Sequence, residues 1–454
     1  MNVTRLYEIF KSSKGVTTDT RTISAGEMFF ALKGENFDGN EYALKALEQG
    51  ACCAVVNEGT VAAASSDARI VAVPDTLEAL KALARHHREN TFVNGKRITV
   101  IGLTGTNGKT TTKELIARVL SKKYTVAYTK GNLNNDIGVP LSLLSIGPET
   151  QIAVIEMGAN HPDDIEKLVR VCEPDYGLIT NVGKAHLLGF GSLEGVKAAK
   201  GKLYDWIAGH DGTIFINADD TVLSEMAAER DGMKAIGYGI GYWDALVLPS
   251  DAEHPFVRMA IPENIGSDAA DDGTDTLLAL ESHLTGAYNA NNMAAAIAVG
   301  LHFGVNLDDA IQAVCEYVPS NNRSQIEKSG SNILIEDAYN ANPTSMAAAL
   351  DNLASIVSER KVALLGDMRE LGSESVQEHV TVLRQILSMG LDLVCLVGDE
   401  FRKAIEVTGT GESVRWFATS SDLASWLEAN PVKDSTILIK GSRGIRMETV
   451  LTRL

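Results

Sequence analysis

With 454 residues, 45% of them hydrophobic, the chain has apolar material for several cores and, at about 150 residues each, for about three domains. Its formal charge of -18 excludes the basic footprint of a nucleic-acid binder and disfavours anionic membrane surfaces, so any phosphate site must be a local positive pocket. No apolar run reaches the roughly 18 residues of a membrane span, and residues 1–15 hold no continuous apolar stretch like a signal peptide. The five cysteines (Cys52, Cys53, Cys172, Cys315, Cys395) form no CxxC pair and read as reduced thiols, which places the expected site of action in the cytoplasm.

The expected fold class is α/β in three domains. A small α/β N-terminal domain covers residues 1–82. Met28–Leu32 and Ala54–Val56 read as short strands, and Tyr42–Gln49 as a helix stopped by Gly50. Lys33 to Asn40 is a polar turn cluster, and Leu77–Asn90 a connecting helix. A central P-loop mononucleotide-binding parallel sheet covers residues 83–317. Ile98–Leu103, Ile152–Ile155 and Tyr176–Thr180 are its expected strands, with helical stretches between. The segment from about 245 to 285 looks less regular, with Asp268–Thr274 a solvated loop, before a helix over Tyr288–Phe303. A C-terminal Rossmann-like domain covers residues 318–454, with strands at Ile333–Ile335, Val362–Leu365, Leu393–Val397 and Thr436–Ile439.

The chemistry concentrates after the first central strand. Gly105-Thr106-Asn107-Gly108-Lys109-Thr110-Thr111 follows an apolar strand and precedes a helix whose apolar residues Leu115, Ile116, Val119 and Leu120 recur at helical spacing. That arrangement puts free N–H groups and a positive helix end around a phosphate. Lys109 would reach the outer phosphates and the Thr110 hydroxyl would ligate magnesium. The generic P-loop glycine five residues before Gly108 is replaced by Leu103, so the match is to a compact variant. Glu156 directly follows a strand beside the loop strand, where NTPases place a magnesium carboxylate. His186 lies just past another strand and shares that face of the sheet; a lone histidine is more often a packing or surface residue. Lys200 is unremarkable by composition.

Together, the phosphate loop, Gly131 to Pro140, Glu156 to His161, His186 to Ser192, Asp337 to Pro343, Gly366 to Gly372 and Lys440 to Arg443 resemble the Mur ligases, the ATP-dependent amide-forming enzymes of peptidoglycan assembly. The resemblance spans all three blocks. It implies that Gly105, Thr106, Asn107, Gly108, Lys109, Thr110 and Thr111 bind ATP, and that Asn289 and Asn292 contact its base. Arg323 and Asp337 would add C-terminal contributions to the ATP site. Glu156, His186 and a carbamylated Lys200 would join Thr110 around Mg2+, with Lys109, Lys200 and His186 as catalytic residues. Thr20, Arg21, Asn36, Asp38 and Gly39 would hold the UDP-sugar, and Asn134 and Asn135 the neighbouring part of the substrate. Tyr288 stands where the family commonly has histidine, and Lys202 where it commonly has an acid.

An amide forms from a carboxylate only after the acyl group is activated. The resemblance implies activation by ATP to an acyl phosphate on a UDP-N-acetylmuramoyl-tripeptide. Attack by D-alanyl-D-alanine would follow, in a monomer whose C-terminal domain closes over the central one. The alternatives are another Mur ligase or a folylpolyglutamate synthase-like ligase, and, from a different class, a nucleotide-dependent switch. A GTPase-like switch would be expected to carry an Asn-Lys-x-Asp base-reading motif, which is absent.

Overall fold

The computed structural model describes residues 2–250, 254–265, 276–319 and 325–454. The N-terminal sheet is parallel, in the order Val16–Thr17, Met28–Phe30, Cys53–Asn57, Ile70–Val73. The polar cluster after it is a tight hairpin, Lys33–Gly34 against Phe37–Asp38. Helix Thr76–Asn90 opens on an Asp75 cap and runs through the junction with the central domain. It packs on Val3–Ser12 on one side and on Gly138–Leu144 and Asp164–Cys172 on the other. Arg88, fully buried on this helix, bonds the carbonyls of Ile98, Cys172 and Glu173 and the Asp175 carboxylate.

The central sheet has six parallel strands. The strand leading to the phosphate loop, Thr99–Thr104, lies between Ile152–Glu156 and Tyr176–Ile179. Strand order reverses there, so the crevice at these strand ends is the expected ligand position. Ile101, Leu103, Val154 and Leu178 are buried in one core with the alanine-rich helix Asn289–His302, whose small side chains let it lie close against helix Lys109–Leu120.

Within segment 245–285 the described residues are more regular than the composition implies. Leu246–Leu248, Arg258–Pro262 and Leu277–Glu281 form an antiparallel sheet, with Met259, Ile261 and Leu280 turned into the core. Its strands are short and separated by stretches rich in Asp, Gly and Ala, which masks their alternation. Asp268–Thr274 lies outside the described residues. The C-terminal sheet is mixed: Gln325–Ser329 adds an antiparallel edge to Asn332–Asp337, followed in order by Thr436–Lys440, Lys361–Gly366, Leu393–Val397 and Val414–Phe417, all parallel. Its carboxyl strand ends carry Asp337, Gly366 and Lys440.

Candidate active site

The phosphate loop is shaped by two glycines that cannot be replaced without collision. Gly105 has φ +151°, and a Cβ there would lie 1.8 Å from Thr180 Oγ1; Gly108 has φ +79°, and a Cβ would lie 2.7 Å from Asn292 Oδ1. Helix Lys109–Leu120 starts directly after Gly108, ahead of its first apolar residue Leu115, so its first N–H groups open onto the loop. The loop is braced from the adjacent strand end. Thr106 N donates to Asn181 O at 3.0 Å, Asn107 N to Asn181 Oδ1 at 3.0 Å, and Thr180 Oγ1 to Asn107 O at 2.6 Å. The Lys109 ammonium folds onto the carbonyls of Gly105 (2.8 Å) and Thr106 (3.0 Å).

Glu156 ends the neighbouring strand and is 1% exposed. Thr110 Oγ1 donates to its carboxylate at 3.0 Å, Asn134 Nδ2 donates at 2.8 Å, and the buried Lys113 ammonium lies 3.6 Å away. A buried carboxylate joined by a hydroxyl beneath a phosphate loop is a hard-oxygen donor set of the kind magnesium takes. Among the described residues no cluster of three or more His, Cys, Asp or Glu makes a cage of its own. A magnesium ion here therefore fits as one shared with bound phosphates.

Lys200 reaches the loop from helix Leu193–Gly209, which Ser192 caps through Gly195 N. Val196, Ala199, Lys200, Leu203, Tyr204 and Ile207 are the buried stripe of that helix, so the lysine lies on its apolar face. Its Nζ donates to Gly105 O at 2.9 Å. Burial first, and the nearby Lys109 charge second, push its pKa well below the usual lysine value. His186, in left-handed backbone at φ 51°, donates from Nδ1 to Glu370 of the C-terminal domain. Burial lowers its pKa, Glu370 opposes that, and the charges of Lys109 and Lys200 add to the lowering.

These groups open on a cleft of about 710 Å³ between the central and C-terminal domains. Thr106 to Lys109, Glu156, His186, Asn289 and Asn292 line one side, and Asp337, Tyr339, Asn340, Asn342 and Lys440 the other. Lys440, expected beyond the last strand, is instead its last residue; it is buried, with Nζ 2.5 Å from Asp337 Oδ2 and 3.1 Å from Asn340 O.

Three family models match the chain: the Mur ligase family, catalytic domain, over residues 12–88, the Mur ligase middle domain over 103–300, and the Mur ligase, glutamate ligase domain over 322–443. The chain belongs to the Mur ligase family. It is 35% identical to the UDP-N-acetylmuramoyl-tripeptide--D-alanyl-D-alanine ligase of Escherichia coli, over 97% of this chain and 93% of that one. The crystal structure of MurF from Acinetobacter baumannii superposes with a TM-score of 0.84 at 29% identity, covering 99% of this chain and 98% of that one. The MurF ligase of Thermotoga maritima, in complex with ADP, matches with a TM-score of 0.83 at 25% identity, covering 98% and 97%.

Of the positions that the Mur ligase resemblance singled out, the structure gathers Gly105 to Thr111, Glu156, His186, Lys200, Asn289, Asn292 and Asp337 around one loop and cleft. Asn292 accepts from Thr112 Oγ1 and donates to Asn289 Oδ1, packing this pair directly behind Gly108. Asn134 and Asn135 also line the cleft, and Asn135 Oδ1 accepts from Ile137 N at 3.2 Å and Gly138 N at 2.8 Å, bracing the turn before helix Gly138–Leu144. Thr20, Arg21, Asn36, Asp38 and Gly39 are not among the lining residues. Arg21 is engaged by Asp19 at 2.6 Å, and Asp38 by the amide of Asn40. Arg323 lies outside the described residues. Sequence reasoning missed Lys113 and Asn181. It also singled out the motifs holding Asn342 and Glu370 without giving either residue a role. The Lys113 position, one turn past Lys109 on the helix, was the available signal.

Proposed function

We propose that this chain joins D-alanyl-D-alanine to UDP-N-acetylmuramoyl-tripeptide at the expense of ATP, releasing ADP and phosphate, in cytoplasmic peptidoglycan precursor synthesis. The observation that carries the reading is the meeting of Lys109 and Lys200 on the Gly105 carbonyl, beside the Thr110–Glu156 pair and behind the wall of an interdomain cleft that Lys109 and Glu156 line. Near-full-length likeness to ligases of that name supports the choice of substrates. No helix among the described residues is long and apolar enough to cross a membrane.

The first half-reaction brings two anions together. An oxygen of the peptide carboxylate attacks the γ-phosphorus, the bond to the bridging oxygen breaks, and ADP leaves. Lys109 and the loop N–H groups hold the transferring phosphoryl group and offset its charge. Magnesium, when bound, supplies Lewis-acid charge neutralisation at the phosphates, with Thr110, Glu156, His186 and Lys200 as the residues that would hold it. Lys200 serves as a carbamate: its amine, whose proton burial makes easier to lose, adds to carbon dioxide and releases a proton, turning a cation into an oxygen donor. In the second half-reaction the dipeptide amine attacks the acyl carbon and phosphate leaves. The C-terminal wall of the cleft, from Asp337 to Asn342 with Lys440, excludes water from the acyl phosphate and contributes to the ATP site. Asn289 and Asn292 serve the base side. Arg323 is assigned to the ATP site by its motif alone.

The N-terminal domain, with Thr20, Arg21, Asn36, Asp38 and Gly39, takes the UDP end of the substrate, and Asn134 and Asn135 its neighbouring part. The working unit is a monomer. The test is ADP release with ATP and Mg2+, with each acyl substrate and acceptor omitted in turn. ADP release that requires both the UDP-muramoyl tripeptide and D-alanyl-D-alanine supports the reading; release indifferent to both refutes it.

A further inference from the structure

The stretch Gly366 to Gly372 has no part in the chemistry above, yet it is one of the places where the C-terminal domain touches the central one. Glu370 sits in it, in left-handed backbone at φ 64°, facing the left-handed His186. Two non-glycine residues in this conformation, opposed across a domain boundary, mark a place that the surroundings enforce. Glu370 makes two contacts from one position. Its carboxylate accepts from His186 Nδ1, and its carbonyl accepts from Leu188 N at 3.0 Å.

The loop that carries Glu370 is tied firmly to its own domain. Met368 N donates to His379 Nε2 at 3.0 Å, and Arg369 N donates to Ser442 Oγ at 2.9 Å. Asp367 accepts from Glu400 N at 3.0 Å and Phe401 N at 2.9 Å. Glu370 therefore moves with the C-terminal sheet, whereas His186 belongs to the central one. An imidazole donates to a cation through one nitrogen, and the hydrogen bond made by the other nitrogen sets which one is free. With Nδ1–H turned to a carboxylate, Nε2 is left as the donor of a residue that lines the cleft.

We propose that Glu370 is a positioning residue that the C-terminal domain delivers to His186, fixing the ring and its Nδ1–H tautomer so that the cation site becomes complete only in the closed enzyme. The proposal rests on the assignment of His186 as a cation ligand. It gives closure a chemical consequence: full charge neutralisation at the phosphates arrives together with the wall that keeps water from the acyl phosphate.

A second contact across the same interface serves as the control. Lys184 Nζ lies 2.6 Å from Glu378 Oε1, so Glu378→Gln loosens the domain contact without touching His186. Two readouts are needed on the full chain. One is the Mg2+ dependence of ADP binding by calorimetry. The other is long-range 1H–15N NMR of histidine-labelled protein with ADP, with the His186 ring assigned through His186→Gln. Wild type should show the Nδ1–H tautomer. Glu370→Ala should lose it and weaken Mg2+ binding by about 10- to 100-fold. Glu370→Gln keeps an acceptor oxygen, so it should retain the tautomer and most of the affinity. Glu378→Gln should leave both unchanged.

An unchanged tautomer and Mg2+ response in Glu370→Ala would overturn the proposal, provided His186→Gln weakens Mg2+ binding. An equal weakening in Glu378→Gln would also overturn it, reducing Glu370 to a latch. If His186→Gln leaves Mg2+ binding intact, the ligand assignment itself fails and the proposal falls with it.

Discussion

Asn107 of the phosphate loop and Asn342 of the C-terminal domain exchange amide hydrogen bonds: Asn342 Nδ2 donates to Asn107 Oδ1 at 2.8 Å, and Asn107 Nδ2 to Asn342 Oδ1 at 3.4 Å. Asn342 is also the N-cap of helix Pro343–Ser355, accepting from Ser345 N in a reciprocal capping box. One side chain thus starts a helix and touches the loop that holds phosphate.

The two roles can be separated. Asn342→Ala removes both and should cost about 1 kcal/mol of stability through the lost cap. Asn342→Ser keeps a capping oxygen but is too short to reach Asn107. It should melt near wild type while raising KM for ATP, because the closed arrangement loses a tie to the loop. Melting curves beside ATP titrations check this, and an unchanged KM in Asn342→Ser would show that the amide pair does not matter to nucleotide binding.

The alternation of strand and helix, the phosphate loop and the placement of Glu156 were legible because each depends on local spacing. The small antiparallel sheet over 246–281 was not, since short strands with exposed residues such as Leu246 and Leu277 carry little alternation. Lys200 looked ordinary until its neighbours at positions 196, 199, 203, 204 and 207 are read as one apolar stripe, which makes a charge there costly and therefore informative. The pairs Asn107–Asn342 and His186–Glu370 join residues 235 and 184 positions apart, and no local pattern reports them.

Lys109→Ala should fold and fail to ligate. The side chain bonds loop carbonyls of its own turn, and it sits on the cleft wall, outside every apolar core. Removing one preorganised charge of this kind costs about 10² to 10³ in rate. Phosphate release measured beside a thermal melt is the check, and near-normal turnover by a folded variant would refute the ATP assignment.

Glu336 should respond to pH in the opposite sense to an ion-paired acid. Its side chain is buried next to Glu327 of the antiparallel edge strand, and burial first, then that neighbour, push its pKa from the ordinary 4.5 up to about 7. The folded chain then keeps a proton that the unfolded chain has lost. The stabilising contribution is full below about 4.5 and is lost as pH rises toward 7. Glu336→Gln, a mimic of the neutral acid, should match wild type in acid and melt higher above neutral pH. Equal melting temperatures across the whole range would count against it.

Lys200 makes the complementary case. Burial and the Lys109 charge lower its pKa, so the folded protein releases this proton at a lower pH than the unfolded chain, which keeps it up to the ordinary 10.5. The unfolded state binds the extra proton, and stability rises with pH between the lowered and the ordinary value. Lys200→Met removes that penalty at the loss of one bond to Gly105 O. In buffers stripped of carbon dioxide, Lys200→Met should therefore melt higher than wild type near neutral pH, and the gap should narrow as pH rises. Adding bicarbonate should stabilise wild type alone, since only the amine can form a carbamate. The same chemistry predicts that Lys200→Ala is nearly inactive and is partly restored by short carboxylic acids, which bring back the missing oxygens. A pH-independent gap would refute the buried neutral lysine, and full activity of Lys200→Ala would refute the carbamate.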